Sequence, residues 1–322
     1  NSFHLQLANN KKIKTVFTSH LSSIICIKGT FLYLDQQLCN GVFERYKCLK
    51  CFIFSKIKNK TIATILSATI NTLNTLTPLR YIKPSINIVN NKKNELQRLK
   101  KNADAIISLA EWIDNIYKKN KIPNTYIIKQ AINTDNFAQQ NITTQTNQTL
   151  NIAFIGRNVY TKGLHLLLDA LQNISNNNYL LTIFALPGNI KKYNDQNIER
   201  IKTMKNCRYY ESLSHSQIIK ILQQTDLLCL PSSNEMAPLV ILEAYSQKVP
   251  VLGSSHPAIT EMIEDGITGF IFQNNNSNDL IQKLKYILDN PQILNKIKQN
   301  IQPVNSFNNV VDEHIKIYKK LL

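Results

Sequence analysis

No Asp-x-Asp occurs anywhere in this chain, so a site in which paired aspartates hold a diphosphate through a divalent ion is not expected. Cysteine is sparse, 6 in 322 residues with no secretory segment ahead of them, which argues against a disulfide framework and for a reducing compartment. Aromatic residues do not cluster among the lysines, which leaves a nucleic-acid-binding reading without its stacking platform. The sequence lacks an initiator methionine and a signal peptide, and Asn1 opens on what reads as an ongoing helix. Acid is in short supply: 21 Asp and Glu face 38 Lys and Arg, a net charge of +17. That balance fits an anionic partner, whether nucleic acid, membrane surface or phosphorylated substrate, or else compositional drift in a chain rich in Lys, Asn and Ile.

The length suits two domains. The chain is organised around DLLCLPSSNEMAPLVILEAYS, residues 226–246. Residues 226–231 are apolar without alternation, as in a parallel strand covered on both faces. Pro238 suits a first helical turn, because its nitrogen has no hydrogen to leave unpaired. Beyond it the free amides of Leu239 and Val240 would point out of the helix end, a place for an anion such as a diphosphate. Glu243 lies about one turn further in, within reach of a ribose diol. Glu235, with seven residues between the two, stands on the loop before the helix. The plain alternative for these glutamates is a helix cap and a solvated side chain. A second phosphate-type element lies upstream in NIAFIGRNVYTKG, residues 151–163. There an apolar strand, 152–155, ends at Gly156, where backbone can approach a ligand, and Arg157 and Lys162 supply cations for phosphate oxygens.

Together GRNVYTKG and PSSNEMAPLVILEAYSQKVPVLGSSHPAITEMIEDGITGFIF resemble the C-terminal half of a retaining glycosyltransferase of family 4, with spacing kept over residues 151–272. The resemblance implies a GT-B fold, two Rossmann-like domains with doubly wound parallel sheets. It implies that Arg157 and Lys162 neutralise the diphosphate of a nucleotide-sugar, that Glu243 binds the ribose and that Glu235 contacts the donor sugar. It also implies transfer with retention of anomeric configuration and no catalytic divalent ion. A histidine after the strand at 14–18 reads by itself as structural; the resemblance gives His20 the task of orienting donor or acceptor.

Four cysteines, Cys26, Cys39, Cys48 and Cys51, follow His20 at intervals of twelve, eight and two residues. A closing Cys-x-x-Cys with two further thiols fits a tetrahedral structural zinc pinning a loop with little core of its own; the alternative is buried or free thiols. A subset of the family carries a similar four-cysteine insertion at this place. Cys207 and Cys229 sit in apolar settings and read as core. Residues 61–79 carry no charge, yet five threonines and two asparagines before Leu76 make them too polar for a membrane span. Ile62, Ile65, Leu66, Ile70, Leu73 and Leu76 fall on one helical face. That face either packs on the domain or lies on an anionic membrane surface, flanked by Lys56, Lys58, Lys60, Arg80 and Lys83.

Strand and helix alternate along the rest of the chain, as in a parallel doubly wound sheet whose ligands bind beyond the carboxyl ends of the strands. The expected domains are 1–138 with a crossover helix at 308–322, a linker at 139–150, and a nucleotide-sugar-binding domain at 151–307. The first is an incomplete Rossmann-like, acceptor-side domain, since only about three strands remain for its sheet. A missing N-terminal segment or a second chain would complete it. The expected function is transfer of a hexose from a nucleotide-diphosphate sugar to a glycan or lipid-linked acceptor in cell-surface polysaccharide synthesis. The place is the cytoplasm or the inner face of the membrane. The alternative is an inactive nucleotide-sugar-binding remnant, and no nucleic acid is expected as partner.

Overall fold

The structure, a computed structural model, describes residues 2–72, 83–133 and 149–322. The chain forms two compact units, Asn1–Lys129 with Val311–Leu322, and Gln130–Val310. Of the linker expected at 139–150, all but the last two residues lie outside the described residues.

The first unit opens with α1 (Ser2–Asn10) and β1 (Val16–Ser19), then a short hairpin of β2 (Leu32–Tyr33) and β3 (Gln37–Leu38). Three helices follow, α2 (Arg45–Ile57), α3 (Lys60–Thr72) and α4 (Lys83–Asn102), before β4 (Ala105–Ser108), α5 (Glu111–Lys119) and β5 (Thr125–Ile127). The three longer-range strands are parallel in the order β1-β4-β5, with Val16 beside Ala105 and Ser108 beside Ile127. Their central member is buried at all four positions, Ala105, Ile106, Ile107 and Ser108, and apolar at the first three, because helices cover both faces of such a sheet. Asp104 ties the strand starts together by accepting from the Thr15 amide and hydroxyl at 2.9 and 3.1 Å. Those bonds and Lys14 hold its carboxyl below the usual carboxylate range against a burial effect that raises it.

The cysteine-bearing stretch is not a loop without a core. Leu49, Ile53 and Phe54 recur at helical spacing along α2 and pack with Leu34, Ala63, Ile70 and Val89. On α3 the buried face is Ala63, Ser67 and Ile70, while Ile62 and Ile65 stand outward, 44% and 59% exposed. The face that packs is thus the one carrying small residues, which let two helices approach. Leu73 and Leu76 lie outside the described residues.

The second unit is a six-stranded sheet with helices between successive strands. In chain order it runs β6 (Leu150–Asn158), α6 (Leu164–Gln172), β7 (Tyr179–Pro187), α7 (Lys191–Thr203), β8 (Cys207–Tyr210), α8 (His215–Gln223) and β9 (Leu227–Leu230). There follow α9 (Leu239–Ser246), β10 (Val251–Ser254), α10 (Pro257–Thr260), β11 (Gly269–Phe272), α11 (Ser277–Asp289), α12 (Ile293–Asn300) and α13 (Phe307–Leu321), the last running on into the first unit. All strand pairs are parallel, and the order is β11-β10-β9-β6-β7-β8. Apolar side chains fill both faces, Phe154, Leu167 and Leu284 on one and Leu228, Ile241 and Val251 on the other. At the amino end of the central pair, Asp226 accepts from the Asn151 amide at 2.9 Å and pairs with Lys298 at 3.2 Å, both side chains largely buried. Among the described residues no helix is long and apolar enough to cross a membrane.

Candidate active site

The strand order reverses between β6 and β9: from β6 the chain builds outward to β8, then returns to lay β9 on the other side. Where neighbouring strands feed loops in opposite directions their carboxyl ends leave a crevice, the usual ligand position in open parallel sheets. The two sequence elements read as ligand-binding leave the sheet at that crevice, one after β6 and one after β9.

The first strand is longer than its apolar run. It continues through Gly156, Arg157 and Asn158, paired with Ala185, Leu186 and Pro187. Gly156 therefore does not end the strand, and Arg157 is carried on its exposed tip. Asn158 is buried and accepts from Asn197 Nδ2 at 2.8 Å, while Asn194 closes on both the amide and carbonyl of Gly188 at 3.1 and 2.7 Å. A one-turn helix at Tyr160–Lys162 then brings Lys162 back over the sheet.

Lys162 meets Glu235 there, Nζ to Oε1 at 2.5 Å, with the glutamate only 8% exposed. Gly163 makes this approach possible. Its φ is +73°, and a Cβ in its place would lie 2.1 Å from the Pro231 carbonyl oxygen, so only glycine admits the contact. The Ser233 amide donates to the Thr161 carbonyl at 2.8 Å and fastens the same two loops. Gly156 is different: an added Cβ would find only ordinary contacts, 3.6 Å to Phe154 and 4.0 Å to Lys162.

Pro238 is the N-cap of α9 with extended backbone, one position ahead of the first turn where it was expected. The amides of Leu239 and Val240 open that helix and have no carbonyl to meet within it. Glu243 has a side chain 15% exposed, and its Oε1 lies 3.0 Å from His215 Nε2. His215 is delivered by α8, whose start is fixed by a capping box between Ser214 and Gln217. Both line a cleft of about 590 Å³ together with Leu239, Lys220 and Phe307. His256 caps α10 from full burial, its Nδ1 accepting from the Ala258 amide at 3.2 Å. Burial first, then the charge of Lys162, push its pKa down to about 4, so the ring is neutral and adds no cation beside the lysine.

The structure thus joins Lys162 to Glu235 and sets Glu243 with His215, leaving Arg157 on the strand tip. His20 belongs to the first unit, exposed just after β1. The four cysteines of that unit line one small cavity. Among the described residues no three His, Cys, Asp or Glu side chains are placed so as to hold a metal ion. Sequence reading passed over Gly163, His215, Asn158 and His256. The Ser-x-x-Gln box ahead of α8 was a legible signal for the placement of His215, and the strand-end His-Pro was one for His256.

The family model of glycosyl transferases group 1 matches residues 135–303. An uncharacterised glycosyltransferase of Methanocaldococcus jannaschii is 25% identical over 202 residues, 62% of this chain and 54% of that protein. The chain spans about half the length of the curated relatives it matches. Sucrose-phosphate synthase from Thermosynechococcus elongatus superposes with a TM-score of 0.62 at 15% identity, covering 78% of this chain and 65% of that one. The Anabaena protein HepE, in complex with UDP and glucose, gives 0.60 at 14%, covering 81% and 76%. The fold is the α/β fold of GT-B glycosyltransferases. With more than half of its residues matched by the family model, this chain belongs to the glycosyl transferases group 1 family.

Proposed function

We propose that the protein is a retaining glycosyltransferase of family 4 that moves a hexose from a nucleotide-diphosphate sugar to a glycan or lipid-linked acceptor in cell-surface polysaccharide synthesis. The observation that carries this reading is the approach of Lys162 to Glu235 at the switch point of the sheet. A lysine already held over the crevice needs little rearrangement to turn from the carboxylate to an arriving diphosphate, joined by Arg157 and the amides of Leu239 and Val240. Glu235, released by that exchange, accepts from donor-sugar hydroxyls, and Glu243, braced by His215, takes the ribose diol. HepE, whose structure contains UDP and glucose, shares the fold and supports a nucleotide-sugar donor.

In the reaction the bond from the anomeric carbon to the β-phosphate oxygen breaks and its electron pair leaves with the diphosphate. Arg157, Lys162 and the helix amides stabilise that growing charge without a divalent ion. The acceptor hydroxyl attacks from the same face, and its proton passes to the departing phosphate oxygen. His20 orients donor or acceptor in this proposal on the strength of resemblance alone. Work at an anionic membrane surface on the cytoplasmic side fits the net charge of +17 and the outward Ile62 and Ile65 beside Lys58 and Lys60.

The test is a thermal-shift series with UDP-glucose, GDP-mannose, ADP-glucose and CDP-glucose on the parent chain, Arg157→Ala and Glu243→Ala. One donor stabilises the parent and neither variant. Equal stabilisation of all three proteins would reject the site.

A further inference from the structure

Four of the six cysteines in the chain converge from three separate elements on one cavity of about 30 Å³ in the first unit. Cys26 follows the short 3-10 turn Ser22–Ile24, Cys39 follows β3, and Cys48 and Cys51 stand one turn apart on α2. The lining between them is largely apolar, with Ile25, Ile27, Phe31 and Leu32, and a few polar groups reach the sulfurs. The Phe31 amide donates to Cys26 Sγ at 3.4 Å, and the amides of Leu34 and Glu44 reach the sulfurs of Cys51 and Cys48. Lys47 lines the same cavity, and Lys28, its side chain 8% exposed, lies close to Cys51.

We propose that these four side chains form a structural site for one soft divalent cation, zinc in the first instance. Four thiol protons leave for solvent as four metal–sulfur bonds form, so the cluster becomes a dianion. The three amides and the two lysines offset that charge. A cavity of this volume admits a single ion and little else. The thiols stand around it without yet being drawn into a cage, so ligation turns the side chains inward and spends part of its binding energy on order. The order gained is local: the β2–β3 hairpin, two residues per strand, and the turn after His20 become clamped to α2. Four thiolates leave no open position on the metal, so the ion is a clasp and takes no part in chemistry.

The experiment uses the full chain purified without chelator. Metal analysis by mass spectrometry gives one zinc per chain, and cobalt exchange gives the intense visible bands of a tetrahedral thiolate site. Chelation raises the number of thiols reactive to a disulfide reagent by four and lowers the melting temperature of the first unit, and added zinc reverses both. Cys39→Ser and Cys51→Ser lose the metal, while Cys207→Ser keeps it. A chain that is metal-free as purified and binds neither zinc nor cobalt, or whose four thiols react at the same rate with and without metal, overturns the proposal. Because unfolding by a cysteine variant would mimic loss of the site, the reversible chelation of the parent chain decides the matter. Donor-induced stabilisation is read separately and does not depend on it.

Discussion

Two glycines near the phosphate-type loop separate a demand of the fold from a demand of the ligand. At Gly163 the backbone is left-handed and a Cβ would sit 2.1 Å from the Pro231 oxygen. Gly163→Ala costs about 1 kcal/mol for the backbone conformation and about 2 kcal/mol for the displacement that relieves the contact, roughly 3 kcal/mol in sum. For a unit of this size that is a fall of about 9 °C in melting temperature. At Gly156 the same methyl group meets nothing closer than 3.6 Å. Gly156→Ala leaves stability within about 1 kcal/mol of the parent, with a small gain from the stiffened unfolded chain. Its effect falls on the donor, whose phosphates would approach the strand there. The assay is differential scanning fluorimetry of parent and both variants, with and without the nucleotide-sugar that stabilises the parent. Saturation at about a hundred times the dissociation constant gives the parent about 2.7 kcal/mol, and Gly156→Ala forfeits it. A melting point for Gly163→Ala within about 2 °C of the parent, against the fall of about 9 °C expected, would refute the steric reasoning. So would a Gly156→Ala protein as unstable as Gly163→Ala.

Lys162→Met leaves the Glu235 carboxylate buried without its lysine and lowers stability by about 2 kcal/mol. Adding Glu235→Gln restores most of it while donor binding stays lost, as a double-mutant cycle by denaturant titration would show. His256 holds its neutral form in the folded protein, so stability is full above its unfolded pKa of 6.5 and falls as pH drops toward about 4. The difference amounts to about 3 kcal/mol, and His256→Asn, which keeps the cap, flattens that limb of the stability–pH curve. Asp226→Ala removes the Asn151 bond and the Lys298 pair at the opposite end of the strands. It costs about 3 kcal/mol in urea titration and leaves donor KM unchanged. Ile62→Asp with Ile65→Asp alters two outward side chains, leaves melting unchanged and reduces co-flotation with phosphatidylglycerol vesicles.

Where apolar residues meet a single rule, the sequence was a sufficient guide. Residues 227–230 are buried on both faces and read as an unbroken apolar run, and α5 carries its own end signals, Glu111 and Asp114 in the first turn and Lys118 and Lys119 in the last. The helix α2 was missed because Cys48 and Cys51 drew attention to ligation while Leu49, Ile53 and Phe54 supplied the periodic core. On α3 the larger residues suggested the packed face, whereas close approach favoured Ala63 and Ser67. At the site, Lys162 and Glu235 were legible as types of residue. Their contact was not, because it depends on the left-handed turn at Gly163 and the reversal of strand order. His215 reaches Glu243 across 28 positions of sequence, a distance over which no local pattern operates.

The central pairing of the second unit joins segments 75 positions apart, as the Asn151–Asp226 bond records, while β6, β7 and β8 follow one another through single helical crossovers. Closing the longer loop costs more chain entropy, about 0.6 kcal/mol per doubling of its length, so β6, β7 and β8 are expected to pair before β9 docks. On that expectation the crevice forms late: a nascent chain stopped before β9 carries Lys162 with no glutamate to meet.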